Sequence, residues 1–226
     1  MVAEVRTGFT RAQDDFLKAL YQLGGDGGPV STGELAQRLG VSSASVSEMV
    51  GRLTAQGLVS YDRYRGQRLT DRGRIAALEL VRHHRLLEMF LVQVLGFSWD
   101  EVHAEAERLE HVISERMEER IYEILGRPDL DPHGHAIPGR DGSVRAVADR
   151  PLSSCQPGET VVIRAVSDDD ADRLRELERR GLKPGIRLEV LEGTEYESPI
   201  EARTGERRLS IPLGLAREIF IEELRS

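Results

Sequence analysis

Apolar residues recur at helical spacing in three short stretches near the start of the chain. Thr10, with Gln13 three residues on, forms a capping box ahead of Phe16, Leu17, Leu20, Tyr21 and Leu23, and the run GGDGGP stops that helix. Ser31 and Glu34 repeat the box before Leu35, Ala36 and Leu39, with Gly40 as the stop. The serines of SSASVS lead into Val46, Met49, Val50 and Leu53, so a third helix starts at Ser42 or Ser43 and ends before Gly57. LVSYDRYRGQRLT then alternates loosely and turns at Arg65-Gly66, which reads as a small hairpin. Three short helices and an arginine-bearing hairpin predict a winged helix-turn-helix, with 31–56 as its two-helix core.

From Asp71 the helical pattern returns through Ile75, Leu78, Leu86, Phe90 and Leu95, with leucines on nearly every side. A capping box of Ser98 and Glu101 opens a further helix carrying Val102, Ala106, Leu109, Ile113, Met117 and Ile121 and running to about Leu125. Two adjacent long helices with apolar surface to spare predict a helical homodimer interface. RPDLDPHGHAIPGRDGSVRAV is rich in proline and glycine and reads as an ordered loop or linker. Its His133 and His135 alternate in a turn instead of stacking on a helix, and are taken as structural or solvent-facing. Downstream, ETVVIRAV and IRLEVLEG are strand-like, with a short helix in DDDADRLRELERRG between them. Thr194 to Pro212 suggests further strands turning at Thr204-Gly205, and IPLGLAREIFIEEL a helical turn and a last strand. A small, mostly β barrel of roughly 70 residues fits. The expected fold is mainly α, in three parts: 1–72, a DNA-binding winged helix; 73–150, helical with a linker; and 151–226, the barrel.

The whole chain carries a formal charge of -8 with a pI near 5.4, which counts globally against a nucleic-acid partner. Locally the balance reverses. Arg52, Arg63, Arg65, Arg68, Arg72, Arg74, Arg82 and Arg85 outnumber Asp62, Asp71 and Glu79, so a basic patch is expected on an acidic body. A single cysteine, Cys155, excludes a disulfide framework and a multi-cysteine zinc module, and fits a reducing cytoplasm. No signal-like opening and no run of 18 apolar residues is seen, so neither secretion nor a membrane partner is expected.

Two features carry chemistry. On the helix after Trp99, His103, Glu107, Glu110 and His111 share an arc away from the apolar one, and His84 and Glu88 stack four apart in the preceding segment. One such pair is ordinarily a solvated face. Two clusters joined by a short turn at Gly96 point instead to a divalent ion held by nitrogen and oxygen, a donor set suited to manganese or ferrous iron. The second feature is the start of the third helix. Small side chains at Ser42, Ser43, Ala44, Ser45 and Ser47 would let that end approach a duplex closely, with Arg52 near the backbone and Arg63, Arg65 and Arg68 on the wing. Ser42 also serves as a cap, and Glu48 is an awkward neighbour for phosphate that can still accept from cytosine.

HHRLLE, the run HAEAERLEHVIS, the segment DPHGHAIP and the terminal barrel together resemble the diphtheria toxin repressor and manganese transport regulator family of metal-dependent transcriptional regulators. The likeness extends over essentially the whole chain. It implies a dimer with a winged helix, a helical metal and dimerisation domain and, as in the longer branch, an SH3-like carboxy-terminal domain. It also implies repression of metal-uptake genes from palindromic double-stranded operator DNA. Carried over, Asp15 becomes a ligand from the first helix; His84, Glu88 and His103 form one group; Glu107, Glu110 and His111 form another; and Asp170 is the carboxylate from the barrel. Acids at positions 15 and 107, where the iron-responsive branch carries methionine and cysteine, favour Mn2+ with Fe2+ as the alternative, at one or two ions per protomer. Lys18 departs from the short manganese regulators, which can place a further carboxylate there, and leaves the second ion in doubt. A metal-dependent hydrolase is the competing class, and a purely structural dimer the next. No additional nucleophile or convergent polar pocket is legible, so no enzyme activity and no small organic substrate are expected.

Overall fold

Capping signals set where the amino-terminal helices begin. In a computed structural model, which describes residues 9–25, 27–145, 150–168, 170–192 and 198–224, Thr10 and Ser31 cap α1 (Arg11–Gly24) and α2 (Thr32–Leu39) through complete capping boxes. Ser42 caps α3 (Ser43–Ala55), its hydroxyl accepting from the Ser45 amide. Asp26, Asp169 and residues 194–197 of the expected strand region lie outside the described residues.

The chain divides into two compact units, one of residues 1–84, 107–123 and 138–144, the other of 85–106, 124–137 and 145–226. In the first unit Phe16, Leu17, Leu20, Leu35, Val46, Val50, Leu53 and Leu58 form the core beneath α1, α2 and α3. The wing pairs β1 (Val59–Asp62) with β2 (Gly66–Leu69), Asp62 opposite Gly66. Its turn is therefore Arg63 to Arg65, one residue earlier than expected, because the Asp62 carboxylate accepts from the Tyr64 and Arg65 amides and closes the chain there. Gly66 has φ 102°, and a Cβ on it would lie 2.3 Å from the Val30 carbonyl, so the bridge between Val30 and Gln67 requires glycine.

α4 (Asp71–Gln93) is the long helix expected from Asp71. The single helix expected from Ser98 to Leu125 is instead two, α5 (Val102–Leu109) and α6 (Glu115–Ile124). Ser114 makes the break: its Oγ accepts from the Met117 amide and its carbonyl accepts from the Glu118 amide, so it caps a new helix. The corner at 110–114 leaves Glu110 and His111 just beyond the end of α5.

In the second unit β3 (Arg150–Pro151), β4 (Thr160–Val166), β5 (Arg187–Glu192), β6 (Ile200–Thr204), β7 (Arg207–Ile211) and β8 (Ile219–Glu223) form one antiparallel sheet ordered β3-β8-β4-β5-β6-β7. α7 (Ala171–Arg180) and the turn of α8 (Leu213–Ala216) cover it, and Val161, Ile163, Leu174, Leu188, Ile211 and Ile219 fill the core with Trp99. The architecture is a winged helix-turn-helix and a helical segment followed by an SH3-like β half-barrel. No helix among the described residues is long and apolar enough to cross a membrane.

One buried ion network ties α4 to α6. Arg82 Nε donates to Glu118 Oε1 at 2.6 Å, Arg82 also donates to the Pro138 carbonyl, and His83 Nε2 lies 3.2 Å from Glu118 Oε2. Burial opposes the Glu118 charge, but His83 and Arg82 outweigh it and hold the carboxyl at about 2. A lowered folded value stabilises above the ordinary carboxyl range and is lost as pH falls towards 2. Glu118→Gln should therefore cost about 3 kcal/mol at neutral pH, with the gap from wild type closing between about pH 4.5 and 2 in urea titrations. A gap that stays constant over that range would show the pair is not ionised in the folded chain.

Candidate metal centre and DNA-facing surface

In the second unit, side chains from four segments converge. Glu88 of α4 is buried; His103 of α5 brings Nδ1 to 3.2 Å from Glu88 Oε1 and 4.0 Å from Asp168 Oδ2. The loop at 129–137 adds His133, whose Nδ1 lies 3.7 Å from Glu88 Oε2, and His135, whose Nδ1 lies 3.3 Å from Asp131 Oδ2 and 3.6 Å from Asp168 Oδ2. Ligand atoms of Glu88, Asp131, His133 and Asp168 all fall within 4.8 Å of one another.

The loop takes this shape because Asp131 Oδ1 accepts from the amides of His133 and His135, and the His133 carbonyl accepts from the Val166 amide at the end of β4. Gly134, at φ 93°, permits the approach: a Cβ there would lie 1.9 Å from the Arg164 carbonyl. His133 Nε2 lies 3.1 Å from the Trp99 carbonyl, which can only accept, so Nε2 carries a proton and Nδ1 is turned towards the carboxylates, 3.7 Å from Glu88 Oε2. Burial alone would lower the His133 pKa. Glu88, Asp131 and Asp168 instead raise it to about 9. Burial opposes ionisation of Asp168 as well, yet the facing histidines hold its pKa below the usual carboxyl range. This donor set of imidazoles and carboxylates fits a divalent ion, which would supply the positive charge that protonated imidazoles otherwise provide.

The loop and the barrel require corrections to the expected ligands. His133 is fully buried inside the cluster and so not solvent-facing. Asp170, expected as the barrel's ligand, caps α7 by accepting from the Asp172 and Arg173 amides, and Asp168 reaches the cluster in its place. Position decides this, since Asp170 is the residue adjoining the first helical turn. The pattern Asp131-Pro132-His133-Gly134-His135 was the available signal for the missed residues: a carboxylate and two imidazoles at alternate positions of a glycine turn.

The first unit gathers a second set. Asp15 Oδ1 of α1 lies 3.0 Å from His111 Nε2, Glu110 Oε1 lies 3.6 Å from the same nitrogen, and Asp14 Oδ2 lies 3.5 Å from His111 Nδ1. The ligand atoms of Asp15, Glu110 and His111 meet within 4.8 Å, and His111 Nε2 has no partner in hydrogen-bond geometry. Burial raises the Asp15 pKa; His111 opposes this and Glu107 adds to it. These three residues fit an ion. His84, one turn before Glu88 on α4, meets Glu110 at 2.5 Å, with Glu107 3.9 Å away. Lys18 lies among those three side chains, its Nζ 2.7 Å from Glu107 Oε1 and 2.8 Å from Glu110 Oε2.

The residues expected to face DNA stand apart from these clusters in the sequence. Ser43, Ala44, Ser45 and Ser47 are exposed along the first turns of α3, where Ser47 Oγ donates to the Ser43 carbonyl and the Ser42 hydroxyl meets that of Ser45. Arg52 is exposed and paired with Glu48 one turn away. Arg63 and Arg65 are exposed on the wing turn, and Arg68 is half-buried on β2. Tyr64, 90% exposed between the two arginines, was not singled out by charge counting.

Three family models match in succession: the iron dependent repressor amino-terminal DNA-binding domain at 8–67, the iron dependent repressor metal-binding and dimerisation domain at 70–139, and the FeoA domain at 150–223. The iron-dependent repressor IdeR of Mycobacterium leprae is 33% identical over 221 residues, covering 92% of this chain and 96% of that protein. The chain belongs to the diphtheria toxin repressor family. It is thus a metal-dependent transcriptional repressor and not an enzyme. Among solved structures of this repressor family, a manganese-dependent transcriptional repressor in complex with manganese superposes with a TM-score of 0.87 at 40% identity, covering 94% of this chain and all of that one. ScaR with bound Zn2+ superposes at 0.80 and 32% identity, covering 94% of this chain and 99% of that one.

If the wing arginines touch phosphates, Arg63→Ala with Arg65→Ala should weaken binding to many DNA sequences and flatten the log-log salt dependence by about 0.9 per lost contact. Metal uptake should be retained. An unchanged slope in fluorescence anisotropy titrations would place the wing off the duplex.

Proposed function

We propose that this repressor senses manganese and binds palindromic operator DNA as a metal-loaded homodimer, through three working parts at 1–72, 73–150 and 151–226. The observation that carries the metal assignment is the donor set. Every candidate ligand offers nitrogen or oxygen: Asp15, Glu110 and His111 in one unit, and Glu88, His103, His133 and Asp168 in the other. The one thiol, Cys155, is buried in the barrel core, where burial pushes its pKa up to about 11, so no soft ligand is offered. The solved manganese-dependent repressor supports the same reading. Ferrous iron is the second reading, favoured by the iron-dependent repressors among the relatives and compatible with the same donors.

In the first unit, Asp15 belongs to α1, which packs on the helix-turn-helix, whereas Glu110 and His111 belong to the corner after α5. Asp15 and Glu110 repel while both are charged, and a bound cation would supply the charge that relieves this. Holding α1 to the corner orders the DNA-reading helices only if the ion favours that arrangement over the others. The exposed Val112 and Met117 supply apolar surface suited to a second copy.

Two measurements test this. Manganese should promote operator binding at lower free concentration than zinc, with iron assayed anaerobically; zinc activating alone while manganese stays inert would remove the assignment. Asp15→Ala should remain a folded dimer by light scattering but need at least about tenfold more manganese for DNA binding, while His111→Ala should be largely unresponsive. Wild-type metal midpoints in both variants would leave any ion with a structural role alone.

A further inference from the structure

Three carboxylate oxygens and one ring nitrogen of three candidate ligands surround one ammonium. Lys18 Nζ lies 2.7 Å from Glu107 Oε1, 2.9 Å from Glu110 Oε1, 2.8 Å from Glu110 Oε2 and 3.2 Å from His84 Nδ1. The lysine is 5% exposed, and Glu110 is fully buried. His84, Glu107 and Glu110 would otherwise have the spacing of a metal site, their ligand atoms lying within 4.8 Å of one another.

We infer that Lys18 is a tethered cation that takes the place of a metal ion among His84, Glu107 and Glu110. A divalent ion of this class needs its oxygen and nitrogen ligands at about 2.0–2.2 Å, inside the space that the ammonium fills. An ammonium instead makes charge-assisted hydrogen bonds at the lengths observed. The same two carboxylates cannot hold both cations in that volume without expelling one, and Lys18 is anchored by α1 while an ion must come from solution. These three residues therefore do not fit an ion while Lys18 is present, and the first unit is left with the Asp15, Glu110 and His111 site. The count of one remaining site rests on the proposed role of those residues as ligands; the role of Lys18 does not.

The substitution has a regulatory consequence. Lys18 joins α1 to the corner after α5 before any metal arrives, so part of the restraint that an ion would provide is permanent. The metal response of this unit then follows the filling of one position, not two.

The test uses the full chain with Lys18→Met, Lys18→Gln and Lys18→Arg, manganese alone as the probe, and two readouts. By equilibrium dialysis and metal analysis, Lys18→Gln and Lys18→Met should bind one more manganese ion per protomer than wild type, and Lys18→Arg the wild-type number. By thermal unfolding in chelator, Lys18→Met should melt about 5 °C below wild type, because Glu107 and Glu110 lose their cation, and manganese should raise its melting temperature more than that of wild type. An unchanged ion count, or an unchanged metal-free melting temperature, in Lys18→Met overturns the inference. A wild-type protein that takes up no manganese, alongside a metal-free Lys18→Met that is destabilised and takes up one ion, supports the tethered cation and overturns the manganese reading instead. Should Lys18→Met fail to fold, Lys18→Gln and Lys18→Arg carry the same comparison.

Discussion

A carboxylate taken out of water must meet a positive charge, and this chain buries Glu88, Glu110, Glu118 and Asp131. The partners differ in kind. Glu118 has Arg82 and His83, and Asp131 has Arg85 Nε at 3.5 Å beside His135. Glu110 has Lys18 and His84. Glu88 faces His103 and His133. Arginine and lysine are tethered to the chain as cations, whereas an imidazole can yield its proton to make room for an ion. The chain thus grades its buried acids from permanently neutralised to exchangeable, and the exchangeable end is where a metal ion can act as a signal.

That grading explains why similar clusters differ in use. Glu79, His83 and Glu115 also bring ligand atoms together, but His83 is engaged with Glu118, which Arg82 holds ionised, and Arg140 reaches the same carboxylates. A further cation there would compete with two guanidinium groups. Around Glu88 and His133 the groups facing Glu88 are imidazoles, with Arg85 paired to Asp131, so an ion at Glu88 competes with protons instead. Proximity of acids and histidines is common to both places, and the identity of the competing cation separates them.

What was legible in the sequence was local. Capping boxes at Thr10 and Ser31 placed two helices to the residue because cap and helix lie within four positions of each other. The break at Ser114 was hidden because Ile113, Met117 and Ile121 continue a helical spacing across it, so periodicity outvoted a serine cap. The burial of His133 was not legible for a different reason: it depends on the backbone bond to Val166 and on Gly134 meeting Arg164, both distant in sequence. Asp168 and Asp170 lie in one acidic run, and only the end of β4 and the start of α7 decide which turns inward and which caps. Lys18 stood out as an anomaly, but its partners are 66, 89 and 92 residues away.

Asp15 and Lys18 are three residues apart on α1, so they share a face and address the same corner after α5. One carries a charge of the sign of the ligands around it, the other the opposite sign. If the ammonium secures one side of the contact permanently, an ion at Asp15 changes only the remainder of the energy that orders α1. A ligand shifts a conformational equilibrium by no more than its differential affinity for the two states, so a chain with part of that difference built in starts nearer to the DNA-competent form. Its metal-free baseline is higher and its response is governed by fewer ions. The sharper switch would need the lysine removed and a second exchangeable cation admitted, which makes position 18 the point in this fold where gain and threshold of the metal response are traded against each other.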